Sequence, residues 1–513
     1  MTDYYPSIIL NTAMKNFLKK NYRYILFTLI FFIINCVFFY SFHASIGKSK
    51  VLIILTLLII YIILAILVFY LKEKKHFKLH KIFLVVAPVL GVLYIFIMPL
   101  CAPPDEPNHF RRAYEISEGF ILSDRNDQNI GGRTLPDSIT VALTEPKNYA
   151  EIPEIFSNSI DSRDEKFQTF ANTSLYSPIS YLPEVIGIWI GKILHLPIFM
   201  LVYLARFFNL ACWVILVYYA IKITPRGKAT FFLLALLPIS MQSATSCQAD
   251  ALVNASTLVF FAFILSKIKN PIKLSQKESI ATVALTIIIS MCKIVYIPIC
   301  FLLYLLPREC FNSKKDKILK VSILLLVVVA LNLIWLSFSS GYLIEFMPEV
   351  NSGEQLHYIL SNPFNYLSII ANTFATHSVF YLISGLGGSL GNLCINLSEI
   401  YILFLGFFIM YTYLNEDRRQ FDLSVLQKIV ISIISILCIG LICTSLYIQW
   451  TAFSADTIDG IQGRYFLPIV PMLLFLLTPL NNRKNSFNYI YPVIIGISIN
   501  IYALGVIMSH YLI

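Results

Sequence analysis

Runs of 17 or more mostly apolar residues recur from one end of this chain to the other. Each is long enough to cross the roughly 30 Å of hydrocarbon in a bilayer as a helix. That repetition leaves few folds open, because in lipid every backbone N–H and C=O has to be satisfied within the protein. The runs are continuously apolar and do not alternate, which excludes a β-barrel. Composition agrees: of 513 residues 57% are hydrophobic and 13% charged, with a mean hydropathy of +0.73, against an apolar share of roughly 45–50% in soluble domains. The expected fold is an all-α polytopic membrane protein.

Six of the ten cysteines, Cys36, Cys212, Cys292, Cys300, Cys438 and Cys443, lie inside the apolar runs. With no CxxC or Cys/His ligand spacing, they read as small hydrophobes. Lys15, Lys19, Lys20 and Arg23 precede the run 24–42 as in a signal peptide, but no small-residue cleavage site follows, so the run reads as a retained anchor. Basic clusters at 15–23, 72–81, 222–228, 267–277, 308–320 and 483–484 mark the cytoplasmic side and place the N-terminus there. Segment 101–177 holds 13 Asp/Glu against 7 Lys/Arg, net −6, so the rest of the +10 chain carries +16. That segment belongs outside, and the positive balance needs no nucleic acid partner.

Alternating the sides gives about 13 spans, two of them short. They are 24–42, 51–71, a third ending near residue 100, 199–221, 229–246, 250–267, the short pair 279–291 and 294–306, 318–340, 394–414, 425–448, 464–480 and 488–511. The short pair forms a hairpin with Lys293 at its tip. Counting 178–195 as a span would put the basic cluster 222–228 outside, so it reads as an interfacial helix on the outer face. The chain then divides into a two-helix extension (1–80), a membrane domain (81–480) and a C-terminal helix (481–513). The membrane domain carries the outer loop 101–177, the interfacial helix 178–195 and a second outer segment, 341–393. That second segment is acidic at Glu345, Glu349 and Glu354 and amphipathic from Pro363, as expected of a helix on the outer surface.

This arrangement gathers polar residues at one depth. Asp105, Glu106, His109 and Arg112 leave the third span; Ser243, Ser246, Gln248 and Asp250 sit at a turn; Lys293 caps the hairpin; Arg464 follows a short loop bearing Asp456 and Asp459. Carboxylates can act as a general base, and Arg and Lys can hold a phosphate and the charge growing on it. Tyr114, Tyr176, Tyr181, Trp450 and Tyr465 could stack on sugar faces or mark the interface. Plainer roles compete: Asp105 and Asp250 as helix caps, Lys293 snorkelling, Arg464 as an interfacial anchor. On a helix from about 106, Arg111 and Glu115 form a solvated i,i+4 pair, while His109 and Arg112 share a face with Asp105.

Pro103-Pro104-Asp105-Glu106-Pro107-xx-Phe110-Arg111-Arg112-Ala113-Tyr114, Gln242-xxx-Ser246-xxx-Asp250-Ala-Leu-xx-Asn254, Lys293-xx-Tyr296-x-Pro298 and Gly460-xx-Gly463-Arg464-Tyr465-Phe466-x-Pro468 resemble the bacterial membrane family called domain of unknown function 2142. The resemblance covers about 80–480, and that family is in turn similar to C-type glycosyltransferases, multi-pass enzymes that use polyprenyl-phosphate-linked sugars outside the cytoplasmic membrane. It implies a glycosyltransferase-like domain in a bacterial cytoplasmic membrane. It further implies inverting sugar transfer to a cell-envelope glycan or lipid-linked acceptor, with Asp105 as base and Glu106 beside it, and Arg112, His109, Asp250, Lys293 and Arg464 binding substrate or lipid phosphate. No cofactor follows from it; a divalent cation is left open, with no metal ligands assigned. The alternatives are a transporter or flippase of lipid-linked glycans, which should carry charges near the midplane on broken helices, and a non-catalytic envelope-assembly protein.

Overall fold

The computed structural model describes residues 5–41, 48–161, 164–342, 349–416, 421–478 and 488–512. Glu345, Arg483 and Lys484 lie outside the described residues, as do the side chains of Lys15, Lys19 and Lys20. The chain opens with helices α1 (Tyr5–Ser41), α2 (Lys48–Glu73) and α3 (Leu79–Ile97). A polar loop follows with α4 (Glu106–Ser117), β1 (Asp124–Arg125), β2 (Gly131–Pro136), α5 (Asp137–Ala142), α6 (Ile152–Asp161), β3 (Glu165–Thr169) and α7 (Ala171–Ser174). Its strands form one antiparallel sheet in the order β1-β2-β3, with Gly132 opposite Thr169 and Pro136 opposite Glu165.

Next come α8 (Leu182–Ile193), α9 (Ile198–Ile223), α10 (Lys228–Ala235), α11 (Pro238–Ala244), α12 (Ala249–Lys269), α13 (Gln276–Cys292) and a 3-10 segment, Ile294–Leu305. The remainder is α14 (Lys314–Ser339), α15 (Ser352–Ser361), α16 (Pro363–Leu386), the hairpin β4 (Ser389–Leu390) and β5 (Ile395–Asn396), and α17 (Glu399–Leu414). α18 (Val425–Trp450), a 3-10 turn Gly463–Phe466, α19 (Val470–Leu476) and α20 (Ile490–Tyr511) complete it.

The protein is an all-α polytopic membrane protein. Among the described residues nine helices are long and apolar enough to cross a bilayer: α1, α2, α3, α9, α12, α14, α16, α18 and α20. Several stretches expected as single spans are built otherwise. The run 229–246 is divided into α10 and α11, because Pro238 brings no N–H and holds Leu237 in an extended conformation. The run 464–480 holds a one-turn 3-10 segment and the seven-residue α19, with Pro468 and Pro471 interrupting regular hydrogen bonding. α17 has 16 residues, and the second arm of the expected hairpin is a 12-residue 3-10 segment containing Pro298.

The bundle has two chemically different ends. At one, Lys72 donates to Asn488 Oδ1 (2.6 Å), Tyr489 to the Phe77 carbonyl (2.8 Å) and Lys428 to Thr478 (2.6 Å). At the other, Tyr149 donates to the Ile97 carbonyl (2.7 Å) and Tyr511 to Glu145 (3.5 Å). α3 and α20 therefore run in the same direction, from the lysine-rich end to the end that holds the acidic loop.

α20 is the central post, with almost every residue buried, and α1, α2, α3 and α10 pack around it. Asn500 on α20 donates to the Leu236 carbonyl freed at the α10/α11 break (2.7 Å) and accepts from Tyr94 (3.0 Å). Ser498 accepts from Asn35 of α1 (2.7 Å) and pairs with Tyr401 of α17 (2.7 Å). Polar groups in hydrocarbon cost free energy unless satisfied, and these pair with one another, leaving the Asn35 Oδ1 without a partner among the described residues.

α8, at 12 residues, is roughly 18 Å long and too short to cross. It packs on α9 and α4, Lys192 is paired with Glu118, and Ile186, Trp189 and Ile193 are exposed. α16 meets the length and hydropathy of a span, yet its polar contacts run along the end of α18 and the loop after it. Tyr366 reaches Thr444 (2.9 Å), Asn372 the Asp456 carbonyl (2.9 Å), Thr373 accepts from the Ile458 amide (2.9 Å) and Ser384 from the Gly463 amide (3.2 Å).

Candidate functional site

The Pro-Pro turn after α3 sets the position of Asp105. Its backbone is left-handed (φ 60°), a conformation that aspartate tolerates better than most residues, and its carbonyl accepts from Asn108 and His109 (both 3.0 Å) to start α4. The Asp105 side chain forms no cap hydrogen bond on α4. Instead it is 47% exposed, accepts from Asn172 Nδ2 (3.2 Å) and stands 3.6 Å from Arg464 Nη2. Gln248 Nε2 donates to the Pro104 carbonyl (2.9 Å), tying this turn to the start of α12.

Glu106 is placed differently. Fully buried, it accepts from Arg206 Nε (2.8 Å) and Nη2 (2.6 Å), the Cys101 amide (2.9 Å) and the Cys247 amide (3.0 Å). Arg206 also donates to the carbonyls of Ile95, Met98 and Pro99 at 2.8–3.1 Å. With every acceptor site engaged, Glu106 fastens the end of α3 to α9 and to the turn before α12. Arg206 had a sequence signal of its own: it is a lone guanidinium inside the apolar run 199–221.

Arg112 does not face the site either. Buried, it pairs with Glu115 and donates to the Ile121 (2.7 Å) and Tyr176 (3.4 Å) carbonyls. The expected Arg111–Glu115 pair is replaced: Glu115 joins Arg112 and Arg133 (2.7 Å), and Arg111 donates to Gln168 (2.8 Å) and Asn108 (3.3 Å). Folding the loop back over α4 buries Glu115, so it takes the partners that are buried with it.

Asp250, Lys293 and Arg464 converge. Asp250, in the first turn of α12, makes no cap but an ion pair with Lys293, and Arg464 Nε lies 4.0 Å from its other oxygen. The Tyr465 ring lies 5.1 Å from Lys293 and 5.4 Å from Arg464. Gly463 makes this possible: a Cβ there would stand 2.1 Å from the Tyr381 carbonyl, so the turn seats on α16 only without a side chain. Gly460, at φ 78°, lets the preceding loop pack on Trp450.

His109 Nδ1 pairs with the Tyr181 hydroxyl (2.8 Å), and its ring lies 5.7 Å from those of both Tyr176 and Tyr181. Burial pushes its pKa down to about 4, the carboxylates of Asp105 and Asp250 only partly opposing that, so the imidazole is neutral at pH 7. Glu184 of α8 is fully buried, its oxygens form no hydrogen bond of ordinary geometry, and burial pushes its pKa up to about 8 despite the nearby Gln248 amide.

A cavity of about 280 Å³ opens beside this cluster. Asp105, His109, Lys293, Tyr176, Tyr465 and Trp450 line it, together with Asn172, Asn332, Trp335, Ser445 and Gln449. Arg464 and Asp250 are not on its wall and brace Asp105 and Lys293 from behind. Tyr181 stands behind His109, and Tyr114 lies under Lys192. Asn332, Trp335, Ser445 and Gln449 have no motif in the sequence; their only signal is polarity on otherwise apolar helices. Among the described residues no group of three or more His, Cys, Asp and Glu is arranged to hold a metal ion.

A family model described as "Predicted membrane protein (DUF2142)" matches residues 89–473. No curated protein and no solved structure matches the chain. The matched stretch contains every residue of the cluster and leaves α1, α2 and α20 outside.

Proposed function

The chain belongs to DUF2142, a family of predicted membrane proteins, and from that premise we propose that it is a glycosyltransferase. It would move a sugar from a polyprenyl-phosphate donor to an envelope glycan or lipid-linked acceptor, on the outer face of a bacterial cytoplasmic membrane. The observation that carries this reading is the meeting of Asp105, Asp250, Lys293 and Arg464, from four distant segments, beside one cavity.

Asp105 is the base. Its carboxylate is accessible and loosely held at 3.6 Å by Arg464, so it can take the proton from an acceptor hydroxyl as that oxygen attacks the anomeric carbon. The bond to the donor phosphate breaks on the opposite face, and its electron pair leaves with the phosphate, so configuration inverts. Lys293, on the cavity wall, meets the phosphate, and Arg464 adds positive field from behind. His109 offers a neutral imidazole to the same space. Glu106 and Arg112 are positioning residues, one for the Asp105 turn and one for the outer loop.

A second reading, a transporter or flippase, draws on the interrupted helix α10/α11, a feature of transporter binding sites. Here the carbonyls at the break go to Asn500 and Ser240, and the cavity charges stand at helix ends, which favours the enzyme. The test is made in the native host with Asp105→Asn and Lys293→Met at matched membrane abundance. Loss of one hexose from the envelope glycans is expected; glycans identical to the parent's would sink the transferase.

A further inference from the structure

We propose that the cavity has a second, uncharged zone on α14 and α18 that binds a sugar ring, and that the sugar transferred is therefore a neutral hexose. This rests on the transferase reading above and adds what the enzyme recognises.

The cavity wall divides by charge. The ionisable carboxylate, imidazole and ammonium groups on it are Asp105 and His109, from the start of α4, and Lys293, at the end of α13. α14 supplies Asn332 and Trp335, and α18 supplies Ser445, Gln449 and Trp450. The spacings 332/335 and 445/449 put each set on one helix face. The lipid-facing sides of the same helices are plainly apolar, with Leu333 and Leu441 exposed. A carboxamide or hydroxyl facing a cavity inside an apolar bundle is costly unless water or a ligand pairs with it. Asn332 returns its N–H to its own helix at the Val328 carbonyl (2.9 Å). The side chains of Ser445 and Gln449 make no hydrogen bond to any described residue, which leaves a hydroxyl and a whole carboxamide for a ligand.

The two tryptophans are held in place. Trp335 Nε1 donates to the Leu175 carbonyl (2.8 Å), and the loop at Gly460 packs on Trp450. Aromatic rings stack on the C–H faces of a pyranose, while neutral amides and hydroxyls match its hydroxyl groups. The volume, that of roughly nine water molecules, suits one ring. A uronic acid or a phosphorylated sugar would need a cation in this zone, and α14 and α18 place none on the wall.

The test uses full-length protein in nanodiscs and three probes: a polyprenyl phosphate, its glucosyl ester and its glucuronosyl ester. The wild type is expected to bind the glucosyl lipid more tightly than either of the others. Gln449→Leu and Trp450→Leu should each cut that advantage about threefold to tenfold, the value of one hydrogen bond or stacking contact, while binding the bare lipid phosphate as the wild type does, which also reports that they fold. Lys293→Met should weaken all three probes alike. An unchanged glucosyl advantage in both α18 variants, or a glucuronosyl lipid bound as tightly as the glucosyl one, would overturn the neutral-ring zone and leave the transferase standing. If the wild type binds none of the lipids, the transferase reading falls and this inference falls with it.

Discussion

Two carboxylates adjacent in sequence have opposite fates, and burial decides between them. Asp105 is half-exposed and faces a cavity, whereas Glu106 is sealed against Arg206 with four hydrogen bonds. Removing one partner of a buried pair strands the other charge, at a cost of about 3–5 kcal/mol. Glu106→Gln and Arg206→Met should each lower the melting temperature of the detergent-solubilised protein sharply, and the double variant should recover much of the loss; additive losses would show that the pair is not a unit. Glu184 gives a pH signature. Its folded pKa, about 8, lies above the unfolded carboxylate value, so the native state binds the extra proton between about 4.5 and 8. Stability is therefore lost as pH rises through that window, by about 1.4 kcal/mol per pKa unit at most. Glu184→Gln should stabilise the protein at pH 8.5 and do little at pH 5, which thermal unfolding at the two values would check.

Among the elements, short irregular pieces rather than long helices do the positioning. The turn Gly463–Phe466 carries Arg464 to both carboxylates, and its seat on α16 depends on a backbone-to-backbone approach at Gly463 and Gly385. Gly463→Ala adds one methyl group where the Tyr381 carbonyl already stands, so α16 or the turn must move. The expected outcome is loss of sugar transfer comparable with Arg464→Ala, with protein still inserted in the membrane; full activity would mean the turn has slack. The break between α10 and α11 has a similar logic, since Pro238 frees carbonyls that Ser240 and Asn500 then occupy. Hydropathy sees an 18-residue apolar run at 229–246 and cannot see that break, because apolar content is the same whether the backbone is regular or interrupted.

Over the whole molecule, the helices outside the family match are part of the fold. α1 and α2 cover α20, and α20 in turn satisfies the Leu236 carbonyl inside the family-matched stretch. Deleting 1–78 would uncover that face, including Ser498 without Asn35. The truncated protein should fail to elute as a single species in mild detergent, and a well-behaved, equally stable product would show the extension to be dispensable. Much was legible in the amino-acid order alone: the bilayer as solvent, helices as the spanning element, the separation of basic and acidic ends, and the motif residues Asp105, Asp250, Lys293 and Arg464. These follow from the period and length of apolar runs and from the cost of charge in lipid, which are local properties. Only the tertiary structure decided which polar residues meet. Arg112 turned toward Glu115, Glu106 was taken by Arg206, and Trp335, Ser445 and Gln449 came to the cavity from helices with no motif. Pairing between groups hundreds of residues apart depends on helix rotation and packing, and a rotation of one hundred degrees per residue, as on an α-helix, turns a side chain from cavity to lipid without changing hydropathy at all.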